Sequence, residues 1–183
     1  METNPFSWYA HTNGGRSSME RILIYYSLDG HTHYLAEQAQ KLLGCDVYRL
    51  QLAKEYPAKG FAKYYTAGRN TVLRFPHTFK QPLPDLSRYE VVILATPIWA
   101  GRVCAPMYSY LKQAEFAHKD LYLIANCSGG DVSKCFSIIK KMKHDGHVRG
   151  EVSFVNPTEA TFGSDSARLK AFCDAVLLNE SFQ

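Results

Sequence analysis

Uninterrupted apolar runs, each followed by a helix-period stretch, constrain this chain most. Arg21-Ile22-Leu23-Ile24-Tyr25-Tyr26, Val91-Val92-Ile93-Leu94-Ala95 and Leu121-Tyr122-Leu123-Ile124-Ala125 show no apolar/polar alternation. A strand with one wet face alternates, whereas a strand covered on both faces does not. Two further strands are expected at residues 46–51, with Val47 and Leu50 toward the core, and at 152–155. Between them lie helical stripes. The first is predicted over residues 32–43, with Leu35, Ala39, Leu42 and Leu43 on one face, Ala36 beside them, and Gly44 as the stop. Another begins near Pro106 and carries Met107, Tyr110, Leu111 and Ala114. A third carries Val132, Cys135, Phe136, Ile139 and Met142, and a last one Leu169, Phe172, Cys173 and Val176. Strands joined through helices are parallel, with right-handed crossovers. The expected fold is therefore α/β: a doubly wound five-stranded parallel sheet, order 2-1-3-4-5, between two helical layers.

The chain of 183 residues suits one compact domain, assigned to residues 19–183. Residues 1–18, with Asn4-Pro5, Asn13-Gly14-Gly15 and Ser17-Ser18, read as a tail, and Met19 as an alternative start. No apolar run reaches the roughly 20 residues a membrane span needs, and no basic segment leads an apolar one as in a secretory signal. A formal charge of +4, without a basic stripe, gives no reason to expect nucleic acid. The five cysteines are odd in number and form no CxxC, so free thiols in a reducing cytoplasm are expected. His31/His33 and His144/His147 have spacings a metal could use, but no further ligand stands close by in sequence. They are read as solvated histidines.

In a doubly wound sheet, ligands sit beyond the carboxyl ends of the strands, where the strand order reverses. Three loops fall on that edge. Tyr26-Ser27-Leu28-Asp29-Gly30-His31-Thr32 leads into a helix, whose free N–H groups and dipole attract a phosphate. Gly30 allows close backbone approach, Ser27 and Thr32 offer hydroxyl donors, and His31 adds charge when protonated. Asp29 would repel a phosphate and is expected to turn away onto backbone N–H groups. The plain alternative is a strand-to-helix turn capped by Asp29 or Thr32. Ala95-Thr96-Pro97-Ile98-Trp99-Ala100-Gly101 places an indole where it can stack on a flat ring, or simply pack in the core. Asn126-Cys127-Ser128-Gly129-Gly130-Asp131 is the third loop, with Cys127 read as a small buried residue rather than a reactive thiol. No GxxxxGK[ST], no GxGxxG after the first strand and no GxSxG occurs. A phospho-receiver would need an acidic pair where this chain has Tyr25-Tyr26. The connection 53–84 is too aromatic for a plain linker. A helix through Phe61, Tyr64, Tyr65 and Gly68 would cover the core, wall the ligand site or form a homodimer contact.

Residues 19–183 resemble the flavodoxin-like FMN-binding proteins, and within them a bacterial group with four ordered segments. These are a YSLDGNT-type phosphate loop, here Tyr26-Ser27-Leu28-Asp29-Gly30-His31-Thr32; a KEYPxKGFxKY segment, here Lys54-Glu55-Tyr56-Pro57-Ala58-Lys59-Gly60-Phe61-Ala62-Lys63-Tyr64; a TPxWAG ring loop; and a Cys/Gly-rich third loop. The resemblance implies FMN, with Ser27, Asp29, Gly30, His31 and Thr32 around the phosphate. It implies Pro97, Ile98, Trp99, Ala100 and Gly101, with Cys127, Ser128, Gly129 and Gly130, around the ring. His31 stands where the group has asparagine. The tyrosine that covers one ring face in many carriers has no match in the third loop, which leaves that face open or covered by Tyr64 or Tyr65. Two uses of a flavin follow. One is an electron carrier that docks a redox partner protein. The other is an enzyme passing hydride from NAD(P)H to a quinone or other small-molecule acceptor. Carriers of this kind are typically acidic, and this chain is mildly basic. A non-redox anion- or protein-binding module is the remaining alternative.

Overall fold

The structure, a computed structural model, describes residues 19–57 and 59–182. The expected tail, residues 1–18, lies outside the described residues. In chain order the elements are β1 (Arg21–Tyr25), α1 (His31–Leu43), β2 (Asp46–Arg49), α2 (Phe61–Val72), β3 (Val91–Trp99), β4 (Arg102–Val103), α3 (Ala105–Gln113), β5 (Asp120–Cys127), α4 (Ser133–Met142), β6 (His147–Val155) and α5 (Gly163–Leu178). The main sheet runs β2-β1-β3-β5-β6 with every pair parallel. That is the expected five-stranded parallel sheet in the order 2-1-3-4-5. A two-residue sixth strand, β4, is added off this path, antiparallel to the end of β3.

Side-chain alternation along the central strands divides the core in two. Ile22, Ile24, Val92, Leu94, Leu121 and Leu123 face Met107, Tyr110 and Leu111 of α3 and Cys135, Phe136 and Ile139 of α4. Leu23, Tyr25, Ile93, Tyr122 and Ile124 face Leu35, Ala36 and Ala39 of α1 and Leu169, Phe172 and Val176 of α5. Each central strand is thus buried on both faces, the physical reason its sequence lacks alternation. Gly44 ends α1 with a left-handed φ of 60°, its N–H donating to the Gln40 carbonyl.

Several boundaries differ from expectation. β3 and β5 continue to Trp99 and Cys127 instead of ending at Ala95 and Ala125. β6 starts at His147 rather than at residue 152, because its first half is a polar edge that pairs with β5 and, at Gly150, with Phe182. A Cβ at Gly150 would stand 2.9 Å from the Phe182 Cβ, so the chain end packs there only against glycine. Val47 is half-buried, while Leu50 is a core residue. All five cysteines are buried free thiols. Among the described residues no helix is long and apolar enough to cross a membrane.

Candidate functional site

β1, β3 and β5 end side by side, so the loops after them meet at one edge of the sheet. A cleft of about 220 Å³ opens there, lined by Ser27, Leu28, Asp29, His31 and Thr32 from the first loop and the start of α1, by Pro97, Ile98 and Trp99 from the end of β3, and by Asn126, Cys127 and Ser128 from the end of β5, and completed by Tyr64 and Asn156. The structure thus brings nine of the sequence-derived site residues onto one cleft. Gly30, Ala100, Gly101, Gly129 and Gly130 are not on its wall. They shape the loops instead.

The first loop is built by Gly30, which precedes α1 with φ 93°. Its N–H donates to Ser27 Oγ (3.1 Å), and its carbonyl accepts from Tyr34 N–H (2.8 Å) as the first bond of the helix. The N–H groups of His31, Thr32 and His33 therefore precede the helical ladder, at the positive end of its dipole. No acidic residue lies in the first turn of α1. Thr32 is buried, and its Oγ1 has no hydrogen-bond partner among the described residues. Asn126 is also buried, with a partnerless Oδ1. Buried polar atoms are nearly always paired. Four side-chain atoms break that rule among the described residues, and two of them belong to residues lining this cleft.

Asp29 does not bond backbone N–H groups as expected. Its carboxylate pairs with the Lys63 ammonium, and the Tyr64 hydroxyl lies 3.5 Å away. The reason is the path of the 53–84 connection, which folds α2 back over the loop between β1 and α1. Lys63 thereby neutralises the one carboxylate on the cleft wall. Tyr64 lines the cleft, whereas Tyr65 stacks on Phe61 on the outer side of α2. His31 and His33 are not simply solvated. His31 Nδ1 lies 3.1 Å from the Pro157 carbonyl, and His33 Nδ1 lies 2.6 Å from the Tyr25 hydroxyl.

Trp99 ends β3, and the chain reverses through Ala100 (φ 50°) and Gly101 (φ 69°) into β4. Two consecutive positive φ values are what a tight two-residue hairpin requires. The half-buried indole is held edge-on by Tyr26 (5.8 Å between centroids) and Tyr56 (5.4 Å). Burial pushes both phenols above their ordinary 10, so they stay protonated. Tyr56 hydroxyl lies 2.8 Å from His77 Nε2, and burial holds His77 below its ordinary 6.5. Trp99 is thus both a packed residue and a wall of the cleft. Cys127 is buried with its Sγ 3.6 Å from the Phe154 carbonyl, so its thiol is a packed group that donates weakly to that oxygen. Gly129 (φ 113°) and Gly130 (φ 97°) turn the third loop through left-handed conformations.

Lys63 and Asn156 are not among the sequence-derived site residues, and Asn126 and Leu28 enter there only as members of the third and first loops. Asn126 pairs in register with Pro97, as its place on the ligand edge implies, and Asn156 follows β6 directly, so the strand-end rule reaches it when extended to one more strand. Lys63 has no such signal, because only the fold of the connection brings it to Asp29.

No family model matches the chain. Among solved structures it is similar to a candidate flavoprotein of Bacteroides eggerthii, with TM-score 0.70 and 17% identity over 86% of this chain and 97% of that one. It is also similar to a candidate flavoprotein of Bacteroides uniformis, with TM-score 0.71 and 14% identity over 86% and 99%. A third is a Lactobacillus acidophilus flavoprotein in complex with FMN, with TM-score 0.64 and 14% identity over 74% and 93%. The fold is flavodoxin-like, and at these identities the likeness extends to the fold alone.

Proposed function

We propose that this chain binds FMN in the strand-end cleft and acts through it as a redox protein. The carrying observation is the buried, partnerless Thr32 hydroxyl at the N-terminus of α1. A buried hydroxyl is costly without a partner, and a phosphate oxygen placed there would accept its proton. The partnerless Asn126 amide oxygen on the same wall is a ready acceptor for a polar N–H at the edge of a ring. That one of the similar folds is a flavoprotein in complex with FMN supports the reading.

On this proposal Ser27, Thr32 and the N–H groups of the first turn of α1 hold the phosphate, with Gly30 setting the turn. Lys63 cancels the Asp29 charge that would otherwise oppose the anion. His31, fixed by the Pro157 carbonyl, borders the same end. Trp99, Pro97, Ile98 and Tyr64 supply apolar wall for the ring, and Asn126, Cys127 and Ser128 supply the rest of its lining. Ala100, Gly101, Gly129 and Gly130 position these walls. A bound flavin supplies the electron or hydride transfer, and the protein supplies position, polarity and exclusion of water.

Adding FMN to the purified protein should quench flavin fluorescence and shift its absorbance with one-to-one stoichiometry. A protein that takes up no FMN overturns the proposal. The proposal covers transfer to a redox partner protein or, with NAD(P)H as donor, to a quinone or other small acceptor. Rapid mixing of the loaded protein with NADH and NADPH separates these: bleaching within turnover times marks the enzyme, and no bleaching marks the carrier.

A further inference from the structure

Helix α2 is amphipathic in the inverted sense. It buries Ala67, Asn70 and Thr71 against the body of the protein, where Thr71 Oγ1 accepts from the Ala105 N–H (3.2 Å). Its outer face carries Phe61, Tyr64, Tyr65 and Val72, continued by Leu73 and Phe75, all 52–81% exposed. Phe61, Tyr65, Gly68 and Val72 follow the i, i+4, i+7, i+11 spacing of a single helical stripe. A surface helix normally turns such a stripe inward.

We infer that a second copy of this chain docks on this face, the two α2 helices crossing antiparallel about a two-fold axis at Gly68. Three features point to a copy rather than to another partner. First, the stripe is self-complementary. Tyr64 and Val72 lie equally far from Gly68 along the helix, so reversal places ring on aliphatic at both ends of the crossing, as an isologous contact requires, with Phe61 of each copy set toward the Leu73 end of the other. Second, Gly68 sits mid-helix with no positive φ and nothing within 4 Å of where its Cβ would be. Inside the monomer nothing requires a glycine there, and glycine weakens a helix relative to alanine. A close helix crossing at that point does require it. Third, the area suffices. With roughly 150–250 Å² for each fully exposed aromatic, the six side chains present about 700 Å², more than the largest patch of an ordinary monomer. Two copies would bury about 1,300 Å², within the range of stable interfaces. Tyr64 also lines the cleft, so the docked copy stands at the cleft mouth.

The test is sedimentation velocity of the full chain without added flavin, so that it stands apart from the FMN proposal. A dimer at micromolar concentration is expected. Tyr65→Glu and Phe61→Lys should each raise the dimer dissociation constant by about tenfold or more, the effect of losing an aromatic anchor. Both residues are exposed, so the monomer's melting curve should be unchanged. Gly68→Leu should break the dimer while leaving the helix intact. Arg69 borders the same face, so added salt should tighten the pairing by screening the two guanidinium groups. A monomeric wild type overturns the inference. So does a dimer indifferent to all three substitutions.

Discussion

Thr32→Val separates a ligand-binding hydroxyl from a structural one. Thr32 is 1% exposed and its Oγ1 has no protein partner. An unsatisfied buried hydroxyl costs about 1–3 kcal/mol. Valine keeps the branched shape and replaces that hydroxyl by a methyl. The flavin-free variant should therefore gain about 1 kcal/mol, or roughly 2–4 °C in Tm for a domain of this size. FMN binding should move the other way. A hydrogen bond to a charged acceptor contributes about 1.5–3 kcal/mol, so the variant should bind FMN about ten- to a hundredfold more weakly. Riboflavin, which lacks the phosphate, should bind both proteins alike, and Thr32→Ser should retain the preference for FMN. Thermal unfolding without ligand and fluorescence titration with both flavins measure these effects. A Thr32→Val protein that loses stability and keeps the wild-type ratio of FMN to riboflavin affinity would refute the reasoning.

Lys63→Ala leaves the Asp29 charge uncompensated beside the proposed phosphate position and should weaken FMN about tenfold. Asp29→Asn in the same background should restore binding, with riboflavin titration flat throughout; a double variant no better than Lys63→Ala would sink the electrostatic account. Trp99→Ala removes the indole that Tyr26 and Tyr56 hold edge-on and should destabilise the flavin-free protein by roughly 1–3 kcal/mol, with Trp99→Phe losing less. Both should change flavin quenching, and unaltered quenching in Trp99→Ala removes Trp99 from the ring wall. Burial holds His77 below 6.5 in the folded protein, so the unfolded chain takes up the proton first as pH falls. The His77 contribution to stability is complete above pH 6.5 and is lost as pH falls from there through the lower folded value. Denaturant midpoints should show that slope in the wild type and less of it in His77→Gln; identical slopes would exclude His77 as a source.

The sheet order was legible because central strands covered on both faces leave a mark in sequence: Ile22, Leu23 and Ile24, or Val91 through Leu94, have no polar neighbour to alternate with. β4 left no such mark. It exists because Ala100 and Gly101 both take positive φ, and alanine does not announce that. The first half of β6 reads as polar because it is an edge. At the cleft, residues supplied by strand ends followed from topology, whereas Lys63 came from a loop whose course depends on tertiary packing. Asp29 was misread for the same reason. Its partner is distant in sequence, and local capping was the only visible alternative. Trp99 showed that stacking and packing need not compete, since its indole rests on two tyrosines and still faces the cleft.

The inverted helix α2 has a kinetic consequence. The floor of the cleft hangs from β1, β3 and β5, whose central side chains are wholly buried. Their amides should exchange with deuterium only through global unfolding. α2 contributes Ala67 as its one buried apolar side chain and is otherwise fastened by Asn70, Thr71 and the Lys63–Asp29 pair. In a protomer without a docked copy, this segment should open alone, at a small fraction of the global free energy. Entry to and exit from the cleft past Tyr64 would then be timed by this local opening, with the sheet beneath acting as an unmoving base.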